Sequence, residues 1–474
     1  MACDGLLAAS SGDRTGTGIS DATALAHAVC AGKISAAEVL AEVRSRALAA
    51  PGLNAFIHED WERAAGAALE LDRRRARGEA LGPLAGVPLS VKDVIAVAGM
   101  PLTGGSTAYA RNITAFTAPA VQRLQEAGAV LVGKTNCPEF AFGAITESQV
   151  GGRTSNPRYP RATPGGSSGG EAAAVASGIT ALGVGTDYGG SLRWPAQCVG
   201  ITALRPTPHK IPDLGIVPGA DGWFGSGVAS RPGAYLQAAT QVMGPLARSV
   251  RDLRAALTVM AAVQAVPAGV RPRELVVAWS DGSRLGPVRQ EVAAMMAGLA
   301  DRLAREVRAV RHVPDVFVAS LEAYNRLRIA DPMIDHAAAV AGREENVLPA
   351  NAQTIQRSLA GGRSELDAAV SLAELARQRD LEVFTAADVV LVPVAGGPAA
   401  SLAGILDIDG RSVSGWDIMG QCRAVTLSGA PVVSVPVALS SDGLPLSVQV
   451  IARPGADALA LDVAEWLEGS TSGT

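Results

Sequence analysis

Lysine, histidine, cysteine and aromatic residues are all scarce in this 474-residue chain, and each scarcity removes a class of function. Lysine occurs at only four positions, Lys33, Lys92, Lys134 and Lys210, among 41 basic residues, and 45 acidic residues bring the net charge to −4. Acids and bases are interleaved without a long run of either sign. Such a chain offers neither a footprint for nucleic acid nor a polybasic patch for a membrane surface. The five cysteines (Cys3, Cys30, Cys137, Cys198, Cys422) are scattered, odd in number and without CxxC spacing. They read as reduced thiols of a cytoplasmic protein, not as a disulfide frame or zinc site. Neither Cys137 nor Cys198 carries a Cys/His pairing signature, so both are expected to be small buried hydrophobes. With no HExxH and no histidine–carboxylate cluster at ligand spacing, no metal and no cofactor is expected. No stretch of about eighteen apolar residues exists. The best candidate, Asp388 to Leu406, is broken by Pro393, Gly396, Gly397 and Pro398. Residues 1–19 lack the basic start and apolar core of a signal peptide and are expected to form a flexible N-terminal segment.

What remains is apolar bulk, 48% of the chain, enough for a sizeable core. Ser35-Ala36-Ala37-Glu38 is a capping box ahead of an apolar helical face. A second helix is predicted over 59–77, stopped by Gly78. Pro83 to Ile95 reads as a turn and then a buried strand with Lys92 near its end. A short helix over 120–127 precedes the strand 129–132. An alanine-rich helix is predicted over 171–177, a strand over 181–184, another over 275–279 and a helix over 288–307. Further strands are predicted at 388–392, 432–437 and 446–451. Strands alternate with helices throughout, which is the α/β class. No internal repeat and no long linker divides the chain.

Two glycine-serine segments carry most of the chemical information. Pro164-Gly165-Gly166-Ser167-Ser168-Gly169-Gly170 and Gly185-Thr186-Asp187-Tyr188-Gly189-Gly190-Ser191-Leu192-Arg193 each set a serine among residues that tolerate positive φ and close backbone approach. Lys92 lies upstream in an apolar run. A desolvated lysine can lose its proton near neutral pH and arginine cannot, so this combination suggests a serine nucleophile served by lysine. Two other motif matches fail on context. Gly128-Ala129-Val130-Leu131-Val132-Gly133-Lys134-Thr135 fits the P-loop spacing, but its interior is a β-branched strand where a permissive loop is needed. Gly165-Gly166-Ser167-Ser168-Gly169 fits the α/β-hydrolase elbow, yet none of the downstream histidines His209, His312 and His336 sits in a recognisable strand-end loop.

From about Ser20 to Trp466 the chain resembles the amidase signature family of serine hydrolases. The matching stretches include Gly86-Val87-Pro88-Leu89-Ser90-Val91-Lys92-Asp93, Gly133-Lys134-Thr135-Asn136, Asn156-Pro157, both glycine-serine segments and Ser428-Gly429-Ala430-Pro431. Ser167 and Ser191 are twenty-four residues apart and Lys92 precedes Ser167 by seventy-five, as the family pattern requires. The resemblance implies a twisted mixed central β-sheet covered by helices on both faces. It implies one domain over 20–470, with a catalytic core at about 80–210, a helix-rich covering region at about 250–382 and a tail at 471–474. It also implies a triad in which Ser191 attacks, Ser167, in a cis peptide, relays the proton and Lys92 accepts it. The backbone N–H groups of Tyr188, Gly189, Gly190 and Ser191 would form the oxyanion hole. Ser168, Asp187 and Arg193 are expected to support the triad, with Arg193 pairing Asp187. Tyr188 and Trp194 are expected to face the substrate pocket, or else to pack in the core.

The implied reaction is hydrolysis of a small or medium carboxamide to a carboxylate and ammonia or an amine, without metal, by a homodimer. One alternative is the glutamine-hydrolysing subunit of a tRNA-dependent amidotransferase. Against it stands Trp194, at a site where those subunits usually carry glutamine. Another is a catalytically silent hydrolase-fold scaffold, against which the intact triad argues. Substrate choice is expected to lie in variable segments such as Asp221 to Phe224 and Tyr324 to His336.

Overall fold

The computed structural model describes residues 21–218, 235–264 and 269–471. The segment 1–19, the stretch Asp221 to Phe224 and residues 472–474 lie outside the described residues. Thr471, predicted to begin the tail, instead closes the helix Asp457–Thr471.

The strands run β1 (Phe56–Glu59), β2 (Pro88–Lys92), β3 (Val130–Thr135), β4 and β5 (Glu147–Ser148, Gly152–Arg153), β6 (Leu182–Asp187), β7 (Thr202–Arg205) and β8 (Val242–Ala247). They continue with β9 (Val276–Trp279), β10 (Ala309–His312), β11 (Val389–Pro393), β12 and β13 (Ile405–Ile408, Arg411–Ser414), β14 (Val432–Leu439) and β15 (Pro445–Ala452). Eleven of them form one mixed sheet in the order β1-β3-β2-β6-β8-β7-β14-β15-β11-β9-β10. β2 lies between β3 and β6 and runs parallel to both. That position accounts for its apolar run, since every residue from Pro88 to Lys92 is buried.

Alternation along β3 shows both faces covered. Val130 and Val132 pack with residues of the helices Ala36–Ala49 and Trp61–Ala76. Leu131 joins the opposite core, which holds residues of the helices Pro119–Glu126, Val250–Met260 and Asp457–Thr471. The mixed α/β expectation therefore holds. The capping box forms as predicted, Ser35 Oγ accepting from Glu38 N at 3.1 Å and Glu38 accepting from Ser35 N at 2.8 Å.

Several boundaries differ from the sequence reading; the strand predicted over 181–184, for one, runs to Asp187. The helix predicted from 59 begins at Trp61, because Phe56–Glu59 pairs with β3 as an edge strand and Asp60 caps the helix through Arg63 N. The helix predicted over 288–307 stops at Leu303, and the short, half-exposed β10 follows on the sheet's other edge. The strand predicted over 129–132 runs on to Thr135, so Gly133, Lys134 and Thr135 are strand and not a phosphate loop. No helix among the described residues is long and apolar enough to cross a membrane.

Candidate active site

Because β2, β3 and β6 are parallel, their carboxyl ends share one edge of the sheet, the edge where open α/β folds build sites. Lys92 is the last residue of β2, Thr135 of β3 and Asp187 of β6. The first glycine-serine segment crosses this edge and turns into the helix Gly169–Ala176, with the Gly166–Ser167 peptide cis. Gly185 in β6 allows that approach. A Cβ there would stand 2.8 Å from Ser168 Oγ and 3.0 Å from Ser168 Cβ.

Lys92 is wholly buried, and its Nζ donates to three hydroxyls: Ser167 Oγ at 2.6 Å, Ser168 Oγ at 3.0 Å and Thr186 Oγ1 at 3.0 Å. Burial pushes its pKa down to about 8, against the opposing pull of Cys137, Asp187 and Glu171. The Cys137 thiol, itself pushed up to about 12 by burial, is neutral at pH 7. Each nearby carboxylate is engaged elsewhere. Asp93 pairs with buried Lys134 at 3.2 Å and accepts from Thr103 N at 3.0 Å and from the Thr103 hydroxyl. Asp187 takes Arg193 in two-pronged fashion, Nε at 3.0 Å and Nη2 at 2.9 Å, with Arg205 Nη1 at 3.6 Å behind. Burial alone would raise the Asp187 carboxyl, but the two guanidiniums hold it well below the usual carboxylate range. Glu171 accepts from Ser90 Oγ at 2.6 Å and Thr135 Oγ1 at 2.5 Å, and burial pushes it up to about 7.

Asp187 also shapes the loop that carries Ser191. It accepts the N–H of Gly190 at 2.8 Å and of Leu192 at 3.2 Å. The expectation that Gly190 is an oxyanion donor is therefore corrected: its N–H is already committed to this carboxylate. The N–H groups of Tyr188, Gly189 and Ser191 donate to no acceptor among the described residues. Tyr324 Oη steadies the loop by donating to Tyr188 O at 3.1 Å. Ser191 is 3% exposed, lines the same cavity as Ser167, and its hydroxyl makes no hydrogen bond among the described residues.

That cavity has a volume of about 430 Å³. Ser167, Thr186, Tyr188 and Ser191 line it with hydroxyl groups; Val94, Phe140, Phe142, Met333 and Trp416 add apolar walls. His336 stacks on Phe142 at 4.9 Å, and burial pushes its pKa down to about 3, so this wall is uncharged. Tyr188 faces the cavity as expected, and burial raises its hydroxyl pKa well above the ordinary value. Trp194 does not. It is fully buried, donates Nε1–H to Ala144 O at 2.9 Å and packs against the cluster of Cys198, Met419 and Cys422. Its helix, Arg193–Val199, is buried on every side, so the indole is core and the pocket expectation fails there.

Sequence reasoning missed Thr186, Lys134 as the partner of Asp93, and Glu171. Thr186 lay in view inside the second glycine-serine segment. The Tyr324 to His336 segment supplies Arg328, Ile329, Asp331, Pro332, Met333 and His336 to the cavity wall.

A family model described as Amidase matches residues 38–461. The chain is 33% identical to a glutamyl-tRNA(Gln) amidotransferase subunit of Deinococcus deserti, over 94% of this chain and 96% of that protein. It is 33% identical to an indoleacetamide hydrolase of Bradyrhizobium diazoefficiens, over 94% of this chain and 85% of that one. Among solved structures, an amidase superposes with a TM-score of 0.84 at 30% identity, covering 95% of this chain and all (100%) of that chain. A bacterial aryl acylamidase superposes with a TM-score of 0.83 at 25% identity, covering 95% and 96%.

Proposed function

The chain belongs to the amidase family of hydrolases, and from that premise we propose that it cleaves the C–N bond of a small or medium carboxamide through an acyl-enzyme on Ser191. The observation that carries this reading is Lys92: buried, its Nζ bonded only to hydroxyls, one of them Ser167, which lines the cavity together with Ser191. A lysine so held is neutral in a large fraction of molecules near pH 8. Neutral Nζ accepts the Ser167 proton as Ser167 takes that of Ser191, whose Oγ forms the bond to the carbonyl carbon. The N–H groups of Tyr188, Gly189 and Ser191 receive the developing oxyanion. On collapse the proton returns through Ser167 to the departing nitrogen and the C–N bond breaks. Water then attacks the ester carbon, giving its proton to the same relay; the bond to Ser191 Oγ breaks, Oγ regains that proton through Ser167, and the acid leaves and ionises to the carboxylate. Ser168 and the Asp187–Arg193 pair position the participants. No step calls on a metal or cofactor. Activity on a panel of primary and secondary amides, absent in Ser191→Ala, tests the reading; unchanged activity in that variant would sink it.

The second reading, the glutamine-hydrolysing subunit of a tRNA-dependent amidotransferase, is favoured by the near full-length match to proteins of that name. Trp194 no longer weighs against it, since that side chain packs in the core. Glutamine-dependent ammonia release that requires a co-purifying partner would select it over a free-standing amidase. The reduced-thiol pattern of the cysteines supports cytoplasmic residence, and the family resemblance supports a homodimer built from one catalytic domain over 20–470.

A further inference from the structure

We propose that Arg328 makes this cavity select amides that carry a second, anionic group of the carboxylate type, held at the edge of a guanidinium stacked on Trp416. For the reaction itself this rests on the reading of Ser191 above; for binding it does not.

Arg328 lies half-buried in the last turn of the helix Val318–Ala330 and lines the cavity. Its guanidinium carbon stands 5.0 Å from the centroid of the Trp416 ring. Neither an ion pair nor a hydrogen bond engages its side chain among the described residues. Its neighbours are satisfied: Arg326 on the same helix bonds Glu322 at 2.9 Å, and Arg423 bonds Asp417 at 3.1 Å and Asn325 at 2.8 Å. Stacking on an aromatic face occupies the plane of a guanidinium and leaves its N–H edge open, the geometry that grips a carboxylate with two parallel bonds.

Its position ties this cation to the chemistry. Trp416 Cζ3 lies 3.4 Å from where a Cβ on Gly189 would stand, and its ring centroid is 6.4 Å from that of Tyr188. The stacked pair therefore flanks the loop that carries Ser191. The charge balance of the wall points the same way. Arg357 adds a second cation, whereas Asp331, the one carboxylate lining the cavity among the described residues, accepts the Leu236 N–H at 2.7 Å. A half-buried guanidinium that no carboxylate of the described residues pairs is best satisfied by an anion that arrives with the substrate.

Two matched pairs of amides test this: glutaramate against pentanamide, with the carboxylate on the acyl side, and N-acetyl-β-alanine against N-propylacetamide, with it on the amine side. The wild-type protein is expected to prefer the charged member of at least one pair in kcat/KM by about ten- to a hundredfold. In Arg328→Ala that ratio should collapse toward one, with Arg328→Lys intermediate because it keeps the charge and loses the fork. Calorimetric binding of the same compounds to Ser191→Ala reads recognition without turnover, and the charged member should bind more tightly, less so at high salt. A guanidinium serving only the helix end would leave the ratio unmoved. A ratio unchanged by Arg328→Ala, or charged members that bind Ser191→Ala no better than neutral ones, would overturn the proposal. Tight, Arg328-dependent binding without any hydrolysis by wild type would leave it standing and remove the reading of the reaction. Should Arg328→Ala fail to fold, Arg328→Gln, which keeps the stem, takes its place.

Discussion

At the scale of the residue, the decisive feature is a lysine that burial has made weak enough to serve as a base. Two of the chain's four lysines, Lys92 and Lys134, are wholly buried, and they differ in their partners. Lys134 faces the carboxylate of Asp93, while Lys92 faces only hydroxyls. The proposed relay requires Lys92 without its proton, so its lowered pKa, about 8, places the form the relay needs above that pH and the protonated form below it. We expect kcat/KM to rise about tenfold per pH unit below a midpoint near 8 and to level off above it. A profile that stays flat across that midpoint in a folded protein would contradict the role given to Lys92. The residues of the proposed triad stood out in the sequence because contiguous motifs carry them, and the Asp187–Arg193 pair expected there forms. Glu171 did not stand out, since its burial and its bonds to Ser90 and Thr135 depend on two strands that meet only in the fold. For Trp194 the sequence left pocket and core both open, because adjacency to Arg193 says nothing about which way a side chain leaves a buried helix.

At the scale of the element, the site is a consequence of three parallel strands ending together. β2, β3 and β6 deliver Lys92, Thr135 and Asp187 to one edge, and the glycine-serine segment ahead of the helix Gly169–Ala176 brings Ser167 and Ser168 across it. Gly185 is the contact on which that crossing depends, with Ser168 Oγ 2.8 Å from its missing Cβ. Gly185→Ala should displace Ser168 and loosen the Lys92 cradle, lowering kcat by roughly a hundredfold and stability by about 1–3 kcal/mol. Steady-state kinetics beside a denaturant melt would check it; wild-type turnover in this variant would show that Ser168 needs no such register. β2 and the starts of β3 and β6 were legible from the apolar residues they open on, whereas β8 beside β6 and β7 beyond it, though buried throughout, were not read. β1 and β10 were not read either, being short, half-exposed edge strands of four residues each whose pattern is too brief to read.

At the scale of the whole molecule, the cavity joins parts of the chain that the sequence keeps far apart. Its hydroxyl-bearing side comes from the neighbourhood of Ser167 and Ser191, and its other walls from Arg328 to His336 and from Trp416. The sequence could mark Tyr324 to His336 as a segment for specificity, yet no pattern within it named Arg328 or the stacking of His336 on Phe142. Long-range packing alone sets those. The central claim, that Ser191 is a nucleophile activated through Ser167 by Lys92, is tested most directly by covalent labelling. The measurement is the rate and site of modification by a fluorophosphonate, read by peptide mass mapping, in wild type and in Lys92→Ala. The expected result is a single label on Ser191 that forms rapidly in wild type and is nearly lost in Lys92→Ala. A label on Ser167 in place of Ser191, or one that forms as fast without Lys92, would contradict it.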